Sequence, residues 1–273
     1  YGGLQVMKGN MSIGFLTAAS TYFSTIIQST NYFLSLGENY QETLASYNRL
    51  LPYLSMKEIP YGKLRLGSIN SIKFDNVRFQ YFENMQLFCI NEEIKSGNIY
   101  WINGRNGTGK TTFINLMLGL FGEEYSGNVK INNLDLRQLN YRYVISNNIS
   151  IVEQTPYLLL DTIKNNISCK TNKSINEQTL KELTKKFRID KIMLREGNND
   201  NNQNLSDGEK QKIVILRMLF SDANLWILDE PTSSLDEESK AVLYEELEKR
   251  KRDHIIIIIS HEIPQIYDKM ICI

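Results

Sequence analysis

The sequence lacks an excess of charge of either sign and has few cysteines. Its 273 residues carry 31 Lys and Arg against 31 Asp and Glu, so the formal net charge at pH 7 is zero. Nucleic-acid-binding proteins usually show a basic excess, so this balance gives no support to a nucleic-acid partner. The three cysteines, Cys89, Cys169 and Cys272, are far apart and have no ligand-like spacing. We therefore expect free thiols, buried or half-buried, in a reducing compartment and no disulfide framework.

The two ends of the sequence also lack the features of a complete protein. The chain opens at Tyr1 without an initiator methionine or a charged-then-apolar leader. It closes at Ile273 inside a run from Lys269 that is typical of a strand. We therefore expect the chain to be a fragment of a longer protein.

A long stretch near the start, from Gly9 to Gly37, contains no charged residue. It exceeds the roughly 20 residues with which a helix crosses a bilayer. The polar residues that interrupt its apolar side chains are Ser12, Thr17, Ser20, Thr21, Ser24, Thr25, Gln28, Ser29, Thr30 and Asn31. Two interpretations stay open: a membrane helix whose polar groups face partner helices or water, and a buried helix of a soluble domain. The length without charge favours the membrane helix.

Charges return after Gly37, and residues 40–51 have helical apolar spacing, which indicates a helix leaving the membrane. Prolines and glycines then predict a linker: Pro52, Pro60, Gly62 and Gly67. We expect a domain boundary here. Residues 1–60 would be the end of a transmembrane domain with a cytoplasmic extension, and residues 61–273 a second domain.

The pattern after Ser68 is that of an α/β domain. The apolar residues of 69–79 predict strands, and Glu83-Asn84 predicts a turn. Nearly continuous apolar runs are typical of parallel strands covered by helices on both faces. These runs are 99–102, 225–228 and 255–259. Residues 181–194 and 239–251 have helical spacing, residues 156–222 form a helical insert, and the Asn-rich residues 197–204 predict a loop.

A glycine-rich segment, Gly104 to Thr112, lies between a predicted strand and the predicted helix 113–120. It satisfies the pattern of glycine, four residues, glycine, lysine and a hydroxyl residue that cradles phosphates. The glycines let backbone N–H groups turn towards the phosphates, and the helix N-terminus adds further donors. The predicted ATP-binding residues here are Gly104, Asn106, Gly107, Thr108, Gly109, Lys110, Thr111 and Thr112. The alternative, a chance glycine-rich turn, does not explain the strand before it and the helix after it.

Two carboxylates, Asp229 and Glu230, follow the apolar run 225–228. Asp229 is suited to bind Mg²⁺ together with the Thr111 hydroxyl, and Glu230 to act as general base on the attacking water. The alternative is a simple helix N-cap, since carboxylates often stand between a strand and a helix. In the company of the phosphate-binding segment, the catalytic interpretation is favoured.

Residues 205–211, Leu-Ser-Asp-Gly-Glu-Lys-Gln, resemble the signature sequence of ABC-transporter ATPases. Further matches occur in the family's order. They are Tyr81, similar to the adenine-stacking aromatic; Gln154, similar to the Q-loop glutamine; residues 233–236, similar to the D-loop; and His261, similar to the switch histidine. The resemblance covers 69–273, and residues 1–60 resemble the last transmembrane helix and cytoplasmic extension of fused exporter subunits.

The resemblance implies an α/β fold, a P-loop ABC-type ATPase domain with an antiparallel β subdomain and a helical subdomain, preceded by a transmembrane segment. It implies a head-to-tail dimer of cassettes in which Ser206 and Gly208 reach the γ-phosphate of ATP held by the partner subunit. Catalysis would use Glu230, His261 and Gln154. Asp236 and Tyr81 would contact ATP, and Mg²⁺ would be bound by Thr111, Gln154 and Asp229.

The sequence departs from the family's signature at two positions, where Asp207 and Glu209 replace the usual Gly and Gln. A carboxylate beside a triphosphate is unfavourable unless it points away or pairs with a cation, such as Lys210 or Lys212. The remaining motif residues are present, and the sequence therefore predicts intact hydrolysis.

Several functions fit these motifs. The favoured one is a bacterial ATP-driven exporter in a cell membrane, with the cassette on the cytoplasmic face and a homodimer or close paralogue as partner. Residues 156–167 would receive the transmembrane domain. Its substrate could be a peptide, with lipids or drugs as alternatives. Two further hypotheses are a soluble ABC ATPase and a nucleotide-regulated interaction module with little turnover. A small-molecule kinase is disfavoured because it needs neither signature nor switch histidine.

Overall fold

The structure of the protein is a computed structural model that describes residues 1–54, 62–80, 88–104, 107–122, 125–171, 174–195 and 205–272. The chain divides into two compact units, Tyr1–Ile59 and Pro60–Ile273. The predicted turn Glu83-Asn84 and the predicted loop 197–204 lie outside the described residues.

The first unit consists of two helices, α1 (Gly2–Met7) and α2 (Ile13–Leu54). The predicted helix is therefore present, but it runs on through Pro52, which was expected to begin a linker. A proline in the last turn of a 42-residue helix removes one hydrogen bond only, so the helix tolerates it. No residue of α2 is buried.

The threonines of α2 satisfy their hydroxyl groups within the helix. Thr21 Oγ1 donates to the carbonyl of Thr17 and Thr25 Oγ1 to that of Thr21, each at 2.9 Å. In the described part of the chain, no helix combines the length and the apolar character of a membrane span. Hydroxyl and amide side chains recur among the apolar ones between Gly9 and Gly37 and lower the mean hydropathy of this stretch.

The second unit contains the strands and the remaining helices. The strands are β1 (Ser71–Phe79), β2 (Phe88–Ile90), β3 (Glu93–Lys95), β4 (Asn98–Asn103), β5 (Ser126–Ile131), β6 (Leu134–Asp135), β7 (Ile149–Val152), β8 (Leu225–Asp229), β9 (Ile255–Ile259) and β10 (Lys269–Cys272). The helices are α3 (Lys110–Met117), α4 (Tyr141–Asn148), α5 (Ile163–Ser168), α6 (Glu177–Lys186), α7 (Asp190–Arg195), α8 (Asp207–Leu219) and α9 (Glu237–Arg250). Among the described residues, Leu136–Gln138 and Lys251–Asp253 are short 3-10 helices.

The strands form two sheets. In the antiparallel sheet, β1 pairs with β2, β3 and β5, and β5 pairs with β6. The other sheet has the order β10-β4-β9-β8-β7, and all its neighbours are parallel. The expected α/β architecture with an antiparallel and a parallel sheet is confirmed. All five isoleucines of β9 are buried, as expected for a central strand covered on both faces.

The helical insert between β7 and β8 contains α5 to α8. The predicted single helix 181–194 is two helices, α6 and α7, because the chain takes a left-handed turn at Arg188 with φ of 58°. Polar N-caps begin these helices: Thr162 accepts a hydrogen bond from the backbone of Asn165, and Asn176 accepts one from Thr179.

The three cysteines are exposed, which corrects the expectation of buried thiols. The reason is their position: Cys89 and Cys272 lie on edge strands, and Cys169 follows the last residue of α5. By contrast, His254 packs against the Trp226 ring with centroids 4.1 Å apart, which indicates a structural role for this histidine. Burial lowers the pKa of His254.

Candidate functional site

The phosphate-binding segment connects β4 to α3, as predicted. Gly107 and Gly109 have φ of 82° and 108°, a backbone conformation that side-chain-bearing residues rarely adopt. Gly109 is the N-cap of α3, so the first N–H groups of that helix begin at Lys110. The Lys110 ammonium donates to the Gly104 carbonyl at 2.6 Å and so spans the segment.

The other residues of this segment divide by exposure. Thr108 and Thr111 are exposed, and Thr112 is buried against the core. An exposed hydroxyl at the first turn of α3 is accessible to a metal ion, which fits the role predicted for Thr111. Asn106 and Tyr81 lie outside the described residues.

The two carboxylates lie at the carboxyl end of β8. Burial is the main cause that raises the pKa of Asp229, and the neighbouring charge of Glu230 raises it further. The charge of Lys110 acts in the opposite direction, which places the lysine and the two carboxylates in one electrostatic site. A second acidic neighbour, Glu153, also raises the pKa of Asp229 and was not among the predicted site residues.

Glu230 is held on both its backbone and its side chain. Its N–H donates to the Ile259 carbonyl at 2.9 Å, and its φ of 46° is unusual for a residue with a side chain. One carboxylate oxygen accepts the backbone N–H of His261 at 2.9 Å. The His261 ring nitrogen Nε2 lies 3.8 Å from the same oxygen, close but beyond hydrogen-bond distance. The carboxylate is therefore fixed at the strand end beside the histidine.

The parallel register brings the predicted residues to one edge of the sheet. Ile259 is paired with Ile102 in β4 and with Asp229 in β8, so the residues that follow each strand leave the sheet together. Val152 of β7 is paired with Leu228, which places the exposed Gln154 beyond the same edge. Carboxyl ends of parallel strands are where α/β proteins bind ligands.

The residues at this edge fit a magnesium nucleotide. Backbone donors and an ammonium group suit phosphates, and hydroxyl and carboxylate oxygens suit Mg²⁺. Within the described ranges, no three His, Cys, Asp or Glu side chains cluster as a metal site made of protein alone.

The signature segment 205–211 forms the start of α8. Ser206 is the N-cap and Glu209 is the third helical residue, and together they form a reciprocal capping box. Glu209 Oε2 accepts the Ser206 N–H at 2.8 Å and the Ser206 hydroxyl at 2.7 Å. The Ser-x-x-Glu spacing is the sequence pattern of such a capping box and could have predicted it. Asp207 pairs with Lys210 at 3.2 Å, one of the two cations expected near it.

The second of those cations, Lys212, pairs elsewhere. Its ammonium lies 2.5 Å from Asp236 Oδ2, at the N-terminus of α9. Asp236 Oδ1 accepts the N–H of Ser239, so the predicted ATP-binding carboxylate is the N-cap of α9. Gly208 packs against the same segment, since a Cβ there would stand 2.6 Å from the Ser234 carbonyl oxygen. The signature turn is therefore attached to residues 234–236.

A residue that sequence reasoning missed is Arg217 of α8. Its guanidinium donates to the carbonyl of Asn166 at 2.8 Å, to Asn166 Oδ1 at 2.8 Å, and to the carbonyl of Tyr157 at 3.1 Å. Asn166 is fully buried, and its side chain also bonds both backbone groups of Leu159. The arginine thus fixes the segment after Gln154, in which Tyr157 and Leu160 are 69% and 83% exposed.

The sequence is similar to a protein family and to several curated proteins. The family model described as ABC transporter matches residues 87–233, more than half of the chain. A probable ABC transporter ATP-binding/permease protein of Haemophilus influenzae is 32% identical over 259 residues, which are 91% of this chain and 45% of that protein. The alpha-hemolysin translocation ATP-binding protein of Escherichia coli is 32% identical over 267 residues, 94% of this chain and 38% of that protein.

Other relatives carry different names. An ATP-dependent lipid A-core flippase of Blochmanniella floridana is 30% identical over 94% of this chain and 45% of its own length. The chain therefore spans less than half the length of these curated relatives. Among solved structures, a bacterial Atm1-family ABC exporter with ATP bound has a TM-score of 0.68 at 20% identity. It covers 96% of this chain and 48% of its own, which shows the shared fold.

The family model spans the phosphate-binding segment, Gln154, the signature and the two carboxylates of β8. The chain belongs to the ABC transporter family and carries the ATPase domain of that family.

Proposed function

We propose that this chain binds and hydrolyses ATP as one half of a head-to-tail dimer of cassettes, and that the dimer powers export of a substrate across a membrane. The observation that carries the proposal is the common edge at which β4, β8 and β9 end. There the charge of Lys110 lowers the pKa of Asp229, against the effect of burial, and Glu230 accepts the backbone N–H of His261.

In this proposal Glu230 is the general base for the attacking water. Its carboxylate is only 19% exposed and is oriented by the N–H of His261, which keeps one oxygen directed. Asp229, Thr111 and Gln154 would hold Mg²⁺, which neutralises phosphate charge when it is bound. The His261 ring, half exposed and next to the base, is available to the γ-phosphate.

The dimer is proposed because the signature turn faces outward. Ser206 and Asp207 are exposed at the N-terminus of α8, while Gly208 is packed on residues 234–236. A helix N-terminus provides donors and a positive dipole for a phosphate. ATP held by a second cassette would supply that phosphate, with Ser206 and Gly208 as its contacts.

We further propose that residues 1–60 belong to the permease part of a longer, membrane-bound protein whose cassette lies on the cytoplasmic face. The long alignments with fused ATP-binding/permease relatives support this assignment. The exposed apolar side chains of Tyr157 and Leu160 support residues 156–167 as the surface that meets the permease. Peptides and lipids are the substrates to test first, because relatives are named for toxin and lipid translocation.

The test is Glu230→Gln in the purified chain, kept in mild detergent. Loss of the general base is expected to lower phosphate release by roughly 10²–10⁴-fold while ATP binding is retained. Trapped Mg·ATP should then convert monomer to dimer, measured by light scattering. Ser206→Arg in the same background should abolish the dimer, because a long side chain would occupy the phosphate contact.

Glu237→Gln is the matched control, since this carboxylate is exposed in the first turn of α9 and pairs with Lys240. It should leave phosphate release unchanged. Unaltered phosphate release in Glu230→Gln would contradict the assignment of the base. An ATP-dependent dimer without measurable turnover in the unmutated chain would instead favour a nucleotide-regulated interaction module.

A further inference from the structure

The hydroxyl of Ser206, the group proposed to bind the partner's γ-phosphate, already has an acceptor in this chain. It donates to Glu209 Oε2 at 2.7 Å, and the same oxygen accepts the Ser206 N–H at 2.8 Å. The Glu209 N–H completes the box by donating to Ser206 Oγ at 3.3 Å. A hydroxyl-to-carboxylate bond is among the stronger hydrogen bonds because its acceptor is charged.

The backbone around this pair has little freedom to adjust. Gly208 lies against the Ser234 carbonyl so closely that a Cβ would clash at 2.6 Å. Four residues further along α8, Lys212 is buried and paired with Asp236. Because these contacts with residues 234–236 fix the backbone of the turn, a phosphate that approaches Ser206 has to be accommodated by the side chains of Ser206 and Glu209.

The neighbouring acidic residue is placed differently. The Asp207 side chain is 80% exposed and lies 3.2 Å from the Lys210 ammonium. Solvent and a cation both screen its charge. Glu209 is only partly exposed, and its carboxylate contacts the serine itself. The two departures from the usual signature are therefore unequal in their effect on Ser206.

We propose that Glu209 sets the ATP concentration at which the dimer closes, because the γ-phosphate must displace its carboxylate from the Ser206 hydroxyl. This inference rests on the proposed function of the site. Glu209 is a positioning residue that acts through Ser206. A glutamine at this position keeps the helix cap but is a neutral and weaker acceptor, so it releases the hydroxyl more readily.

The experiment measures dimer formation of the chain against Mg·ATP concentration, with Glu230→Gln present in every variant to prevent turnover. Adding Glu209→Gln is expected to lower the ATP concentration at half-maximal dimerisation about fivefold to tenfold, the difference between a charged and a neutral hydrogen bond. Asp207→Asn removes the same charge from the same turn and is expected to change it less than about twofold. Helix content by circular dichroism confirms that both variants keep α8.

A second pair of variants tests whether Glu209 acts through the serine. In chains that also carry Ser206→Ala, Glu209→Gln should shift the midpoint less than about twofold, because the hydroxyl it would release is gone. Equal shifts in Glu209→Gln and Asp207→Asn, or a full shift without the hydroxyl, would overturn the inference. If none of these variants dimerises with ATP although each binds it, the proposed dimer is wrong, and that outcome is distinct from an unchanged midpoint.

Discussion

The Lys212–Asp236 ion pair leads to a prediction that separates a structural from a nucleotide-binding role. The Lys212 side chain is 10% exposed and its ammonium lies 2.5 Å from Asp236 Oδ2. Asp236→Asn keeps the N-cap of α9, because asparagine caps as well as aspartate, but it leaves the buried ammonium without its counter-charge. The substitution therefore isolates the ion pair from the cap.

The magnitude follows from the burial of the two partners. A hydrogen bond to a charged group contributes about 1.5–3 kcal/mol, and removing one partner of a fully buried pair costs roughly 3–5 kcal/mol. Because Asp236 is 46% exposed, the lower range applies. We expect Asp236→Asn to lower the free energy of unfolding by about 1.5–3 kcal/mol, which corresponds to a Tm decrease of roughly 3–12 °C. Asp236→Ala should cost about 1 kcal/mol more through loss of the cap.

The pKa shift of Asp236 also determines how this loss of stability depends on pH. The hydrogen bond from Lys212 is the main cause that lowers the pKa of Asp236 in the folded chain. The stabilisation is therefore fully present above the unfolded-state pKa of about 3.9 and disappears as the pH falls through the lower folded pKa. The difference between the parent chain and Asp236→Asn should be constant from pH 5 to pH 7 and shrink below about pH 4.

Thermal and urea unfolding of the nucleotide-free chain provide the measurement, with Glu237→Gln as a neighbour that should change stability by less than about 0.5 kcal/mol. The double substitution Lys212→Met with Asp236→Asn should recover most of the loss, since no buried charge then lacks a partner. A stable Asp236→Asn variant with weakened ATP binding would refute the reasoning and return Asp236 to the role of a nucleotide contact.

Two further predictions concern Asp229 and Arg217. Burial raises the pKa of Asp229, so its ionised form destabilises the fold. In EDTA at pH 7, Asp229→Asn should raise Tm by about 2 °C. This gain should vanish below about pH 4, where the carboxyl group is protonated in both the folded and the unfolded chain. A lower Tm at pH 7 would show that burial of the ionised carboxylate does not destabilise the fold. Arg217→Lys cannot reproduce the three directed hydrogen bonds, so it should lower the free energy of unfolding by about 2 kcal/mol. It should also speed hydrogen exchange at the Leu159 amide, measured by mass spectrometry with Lys210→Arg as control. Unchanged exchange would show that Arg217 does not stabilise the segment that contains Leu159.

Much of the fold was predictable because the deciding signals are local. The continuous apolar runs of β8 and β9 are typical of buried strands, and the glycines before Lys110 are typical of a phosphate-binding turn. The site was predictable to the extent that its residues end strands, since a parallel sheet gathers such ends at one edge. The continuation of α2 through Pro52 could not be predicted, because a proline indicates that a helix ends nearby but does not fix the residue at which it ends.

The contacts between distant segments could not be predicted in this way. Lys212 was expected beside the signature carboxylates, yet it pairs with a residue 24 positions along the chain. Arg217 and Asn166 are 51 positions apart and belong to no pattern in the sequence. Such partners depend on how helices pack, which neither spacing nor propensity encodes. The exposure of Cys89 and Cys272 depends on the order of the strands in the sheets, which the sequence does not state either.

The short segment from Glu230 to Asp236 touches two different ATP sites of the proposed dimer. At one end, the Ser233 hydroxyl donates to the Glu230 carbonyl at 3.0 Å, next to the base of the chain's own site. At the other end, Ser234 supports Gly208, which belongs to the site completed by the partner. In the proposed dimer, this segment would therefore connect the two nucleotide sites through seven residues of backbone. If ATP binding at one site changes the affinity of the other, the second site would change the affinity of the first by the same factor.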